Sequence, residues 1–381
     1  NERVVRPRLA DARFFFDQDR RKTLESRVPG LAKVVYHNKL GTQGERTERV
    51  RAIARWIAEK LGADVTLADR AALLAKADLL TDMVGEFPEL QGIMGGYYAR
   101  HDGEHEQVAE AIADQYLLRL AESEDADGLN LISATLQLAD RIETLVGIWG
   151  IGLKPTGEKD PFALRRHALT VIHSFYLLGA TAGYAAKKLE LSLSELIDFA
   201  YSVFTTVNLP AETKTEVSQF IYERYQNQLA AAHGTNLVDA VISQKPPLNE
   251  VVQRVEAVVD FWQLPEAASL AAANKRVGNI LKKSADSIQA QVIPSLLKEP
   301  AEIALNEAIS IVKPKADAAF EKRDYSGSLQ TLAALKQPVD SFFDDVMVNA
   351  EDPALRANRL ALLSQLHAAM NRVADISKLA A

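Results

Sequence analysis

Two places in the 381-residue sequence concentrate side chains able to do chemistry. The run Arg100-His101-Asp102-Gly103-Glu104-His105 sets two histidines four residues apart. On a helix that spacing puts both imidazoles on one face, which suits zinc. Gly103 between them weakens a helix, and no apolar stripe frames the run. It reads as a solvated loop leading into a helix near Gln107, with a metal site as the alternative. The second place is AAANKRVGNILKK at 271–283, where Lys275, Arg276, Lys282 and Lys283 punctuate an Ala-rich helix, followed downstream by Arg356, Asn358 and Arg359 after Asp352-Pro353. Cations and amides so spaced suit backbone phosphates and unstacked bases, and a solvated helix face is the plain alternative. Gly41-Thr42-Gln43-Gly44 lacks the spacing and the Lys-Ser/Thr ending of a phosphate loop, and KPTGEKDPF at 154–162 reads as a turn feeding a helix start. His167 and His173 fall on the helix expected after Pro161, and the seven histidines give no Ser/His/Asp order. No catalytic residue and no metal ligand is assigned.

The elements that must position these groups are helical. Leu131, Leu138, Ile142, Leu145 and Trp149 recur on one helical face, as do Val251, Val252, Val255, Val258, Val259 and Trp262, and again Leu363, Leu366, Met370 and Val373. Asp160-Pro161 and Asp352-Pro353 each place a cap acceptor before a proline, Ser192 with Glu195 fits a capping box, and Pro210 and Pro246-Pro247 mark stops. Strand candidates are confined to Val4-Val5, Phe14 to Phe16 and Ala32 to Tyr36. The expected fold is nearly all-α. With 48% apolar residues the chain can build sizeable cores, and without cysteine it has no disulfide, no thiolate metal site and no cysteine nucleophile. No stretch reaches a membrane span and NERVVRPRLADAR lacks a signal-peptide core, so a cytoplasmic location is expected. A start on Asn1 in a basic segment suggests a fragment. The net charge of -7 is uneven: residues 1–60 carry 15 basic and 8 acidic residues, and 78–160 carry 5 and 17. A polyanionic partner must therefore meet local basic patches.

AALLAKADLL at 71–80 followed by LADRIETL at 138–145 resembles the HD phosphohydrolase superfamily, whose helical fold sets histidines and aspartates around a metal that activates water. The metal ligands are missing here. The His-Asp pair falls on Ala75-Lys76 or Ala77-Asp78, the first histidine on Arg46, and only Asp140 remains. Asp140 otherwise reads as an outer-face residue beside Arg141 and Glu143.

Several segments together resemble the β subunit family of bacterial heterotetrameric glycyl-tRNA synthetases. They are NERVVRPRLADARFFFDQD at 1–19, LAKADLLTDMVGEFPELQGIMGGYYA at 74–99, LADRIETLVGIWGIGLKPTGEKDPFALRRHAL at 138–169, AAANKRVGNILKK at 271–283 and PVDSFFDDVMVNAEDPALRANRLALL at 338–363. The resemblance implies a noncatalytic, tRNA-binding subunit supporting the charging of tRNA with glycine. ATP and magnesium would be used by the complete enzyme, and the chemistry would lie on an α subunit in an α2β2 assembly. It implies the end of an upstream domain at 1–30, a degenerate HD-like domain at 31–180, a helical linker region at 181–247 and a DALR-type anticodon-binding bundle at 248–381. Lys275, Arg276, Asn279, Lys282, Arg356, Asn358 and Arg359 become the expected tRNA-binding residues. The alternatives are a metal-dependent HD-type phosphohydrolase and a purely structural assembly module.

Overall fold

The computed structural model describes residues 2–117, 129–181, 189–284 and 291–380, with residues 2–9 described by backbone alone. Residues 182–188 of the expected linker region lie outside the described residues. Helices dominate, and the described sheet is one short antiparallel pair, Val35–His37 with Gly41–Thr42. The nearly all-α expectation holds. The chain divides into two compact units, 1–225 and 226–381, and the division falls within the helix Glu212–His233.

In the first unit the opening strand candidates are instead part of a helix, Glu2–Asp19. Residues three apart share a helical face, and that face is what the protein uses. Phe16 stacks on Tyr98 at 5.8 Å. The buried Asp19 carboxylate accepts from the backbone N–H groups of Asp82 and Met83 and from the Tyr98 hydroxyl at 2.8–2.9 Å. Gln43–Leu61 starts on a capping box between Thr42 and Glu45 and stops at Gly62, whose φ of +66° suits a residue without Cβ. It packs against Val65–Leu74 and against Leu131–Gly150, the central helix of the unit.

Leu131–Gly150 is buried almost all round, including the polar residues Gln137, Asp140, Arg141 and Glu143. The outer-face reading of Asp140 is therefore overturned, because neighbouring helices bring cations to it. The Asp160-Pro161 start is also displaced. The helix runs Leu164–Ala180, and Asp160 caps it from a distance by accepting from the N–H groups of Leu164 and Arg165 at 2.8 and 2.9 Å. Ser192 does accept from Glu195 N–H at the start of Leu193–Ser202. That helix ends well before Pro210, which instead precedes the start of Glu212–His233.

In the second unit Val251–Trp262 buries Val251, Val255 and Val258, and Phe261 completes the stripe in place of Trp262. Around it lie Thr235–Ile242, Ala267–Lys283, Pro300–Glu321, Tyr325–Thr331, Lys336–Asp345 and Pro353–Met370. Asp352 caps the last of these with Pro353 at its first position.

Candidate nucleic-acid interface

Ala267–Lys283 turns Leu270, Ala271, Asn274 and Val277 toward the core. Asn274 fixes its rotation: its side-chain amide and that of Asn371 donate to each other at 2.7 and 3.0 Å, and Asn371 also donates to the His367 carbonyl at 2.8 Å. The opposite face then carries Lys275, Arg276, Asn279, Lys282 and Lys283, all exposed. The Arg276 guanidinium lies 4.2 Å over the Phe343 ring, contributed by Lys336–Asp345. The stack orders the cation while leaving it exposed. Lys275 Nζ donates to the Ala380 carbonyl at 3.4 Å. Lys282 and Lys283 sit in the last turn, where cations complement the helix dipole. Phe343 carries no signal in the sequence, and only the approach of its helix reveals it.

Asn358 and Arg359 occupy a different setting from the exposed residues of Ala267–Lys283: both are buried. Asn358 is 1% exposed, accepts from Ile293 N–H at 2.7 Å and donates to the Ile293 carbonyl at 3.1 Å. Arg359 is 6% exposed, pairs with the fully buried Glu302 and donates to the Met347 carbonyl at 2.7 Å. Their polar atoms are spent on holding two loop backbones against Pro353–Met370. Arg356, half-buried, donates to the Ala350 carbonyl at 3.2 Å and steadies the same region. Of the seven expected residues, Lys275, Arg276, Asn279 and Lys282 form one exposed face, and the other three do not join it.

In the first unit the HD-like positions do converge, with cations in place of metal ligands. Arg46 Nη2 lies 2.9 Å from Asp140 Oδ1 and Lys76 Nζ lies 3.2 Å from the same oxygen. Arg46 and Arg49 each donate through Nε to one oxygen of Glu143 at 2.9 Å. Lys76 also donates to Gln115 Oε1 and to the Tyr116 hydroxyl at 2.8 and 2.9 Å. Burial opposes ionisation of Asp140, but Arg46, Lys76 and Arg141 outweigh it and hold the carboxyl well below the usual range. Burial, reinforced by Arg141, lowers His167 to about 4, so its imidazole is neutral at pH 7. A divalent ion does not fit this donor set, because a guanidinium and an ammonium already occupy the aspartate oxygen it would need. Asp78 points elsewhere and accepts from Gly92 and Gly95 N–H groups.

The His101–His105 run joins two helices, Ile93–His101 and Glu106–Asp114. Asp102 accepts from Leu24 N–H at 2.7 Å, Glu104 forks with Arg70 at 2.6 and 3.0 Å, and His105 caps the second helix through Nδ1. Among the described residues no three His, Asp or Glu side chains gather as metal ligands.

A helical bundle with an exposed cationic helix belongs to a recognisable class: the family model described as DALR anticodon binding domain matches residues 270–378. The model described as Glycyl-tRNA synthetase beta subunit matches residues 1–243. The chain belongs to the glycyl-tRNA synthetase beta subunit family. All of it aligns with the glycine–tRNA ligase beta subunit of Janthinobacterium sp. (strain Marseille) at 60% identity, covering 53% of that relative. The corresponding proteins of Thiobacillus denitrificans and Dechloromonas aromatica are 59% and 58% identical over the whole chain, which covers 53% and 52% of them. The chain thus spans about half the length of the curated relatives it matches.

Proposed function

We propose that this chain does the tRNA-binding work of a glycine–tRNA ligase β subunit. In that reading it supports ATP- and Mg2+-dependent glycylation whose catalytic centre lies on an α subunit, within an α2β2 assembly in the cytoplasm. The observation that carries the reading is the exposed face of Ala267–Lys283, which falls inside the region matched by the anticodon-binding model. A cationic helix face beside an aromatic ring suits a single-stranded loop, whose bases can be splayed, stacked and read on their edges. The phosphohydrolase alternative loses its basis in the pairing of Asp140 with Arg46 and Lys76.

A gel-shift titration with a glycine tRNA transcript and a non-cognate tRNA tests the reading. The chain is expected to retard the cognate tRNA at lower protein concentration. Equal retardation of both would remove anticodon recognition from this chain, and retardation of neither would remove tRNA binding.

A further inference from the structure

Most basic side chains of the first unit are committed to partners. Arg46, Arg49, Arg51, Arg55, Lys60, Arg70, Lys76, Arg100, Arg141 and Lys154 all meet carboxylates. Arg21 and Lys22 differ, and so do Lys33, Lys39, Lys159 and Arg166: each is exposed, and among the described residues no carboxylate or other partner meets its side chain.

Lys33, Lys39, Lys159 and Arg166 come from two segments that the His37–Phe162 contact sets side by side. The first is the hairpin Val35–His37/Gly41–Thr42, with Lys33 just before it and Lys39 at its tip. The second is the loop 152–163, which leads into Leu164–Ala180 with Arg166 in its first turn. The His37 ring meets the Phe162 ring edge-on at 6.0 Å and joins the two. Both backbones are held in place. Lys39 N–H donates to His37 Nδ1 at 3.1 Å. Thr156 and Lys159 exchange backbone hydrogen bonds at 3.0 and 2.8 Å, and Arg165 Nη2 donates to the Gly157 carbonyl at 2.6 Å. Within 33–42 and 152–166 the acidic residues are Glu158 and Asp160, and Asp160 is used as the helix cap.

Arg165 and Arg166 lie in the first turn of a helix, where a cation opposes the macrodipole at a cost of about 0.3–1 kcal/mol each. The placement does not serve the helix. The hairpin lies in the basic stretch 1–60, and the loop closes the acidic stretch 78–160, which carries 17 acidic and 5 basic residues. On a chain of net charge -7, a positive area steers a polyanion to one place. Lysines spread over two turns match a row of phosphates as point charges, whereas a compact anion would need donors converging on one spot.

We propose that the hairpin 33–42 and the loop 152–166 form a second RNA contact surface that grips the phosphate backbone without reading sequence. This rests on the tRNA-binding reading above and adds a site outside the region matched by the anticodon-binding model. The test uses the whole chain carrying Lys33→Gln, Lys39→Gln and Lys159→Gln, with Lys275→Ala/Arg276→Ala as a parallel variant. Glycine tRNA and a non-cognate tRNA are titrated across a salt series. The triple variant should unfold in urea like the parent, since these side chains hold nothing in the fold. It should weaken both tRNAs by the same factor, about fivefold or more at low salt, with a shallower salt slope by up to about 2.7. A loss confined to the cognate tRNA would overturn the sequence-independent grip. Unchanged binding by the triple variant, with weakened binding by the parallel one, would overturn this surface and leave the anticodon reading standing. Unchanged tRNA binding with impaired retention of polyglutamate would reassign the patch to an acidic protein. Failure of the parent to bind any tRNA would overturn the tRNA reading itself and this surface with it.

Discussion

Asp140 shows how a single residue can keep its place in a fold while changing its chemistry. Its carboxylate lies 3% exposed between Arg46 and Lys76, and Glu143 is shared by Arg46 and Arg49. Removing one partner from such a cluster strands the others. Asp140→Asn should therefore destabilise the protein by about 3 kcal/mol or more, because the buried Lys76 loses its counter-charge and Arg46 keeps only Glu143. Urea denaturation checks this, and an unchanged midpoint would mean that the cluster is dispensable. The resemblance to the HD superfamily points to positions 46 and 140 and leaves the pair open between Ala75-Lys76 and Ala77-Asp78, of which Lys76 is the one that meets Asp140. The burial is not legible in the sequence, because a charged residue on a helix says nothing of what an adjoining helix brings to it. Asn358 and Arg359 carry the same lesson in reverse. Their residue types suit RNA, but an amide and a guanidinium also suit exposed loop backbones, and only the positions of Ile293 and Met347 decide between the two uses.

At the scale of elements, the helix faces are readable where apolar periodicity is strong, as in Val251–Trp262 and Pro353–Met370. The opening helix Glu2–Asp19 reads as strand in the sequence because a run of three phenylalanines has no period of its own. Its helical form follows from Phe16 and Asp19 docking together on one face. Close approach of elements is equally silent in the sequence. In Leu131–Gly150 a Cβ on Gly147 would come within 2.8 Å of the Phe204 ring. Gly147→Ala gains helix propensity of about 1 kcal/mol. The ring cannot yield that much without repacking, at a cost of about 1–3 kcal/mol. The net expectation is a lower melting temperature in thermal unfolding, and a higher one would show that the helix and Phe204 are loosely packed.

Across the whole molecule, the net charge of -7 conceals how the charge is arranged. The acidic stretch 78–160 belongs to the first unit, where many cations are paired, and the second unit presents a basic face on one helix. The basic residues mark that helix in the sequence, yet they do not distinguish its exposed cations from those of Pro353–Met370, which are largely buried. The rotation set by Asn274 and Asn371 supplies the difference. On the proposed function, tRNA meets the exposed face of Ala267–Lys283. The most direct test is the salt dependence of glycine tRNA affinity for the parent and for Lys275→Ala/Arg276→Ala. Weaker binding by the variant is expected, with a log–log slope shallower by about 1.4, as when two phosphates of a single strand are no longer neutralised. Identical affinity and slope for the two proteins across about 50–300 mM salt would contradict it.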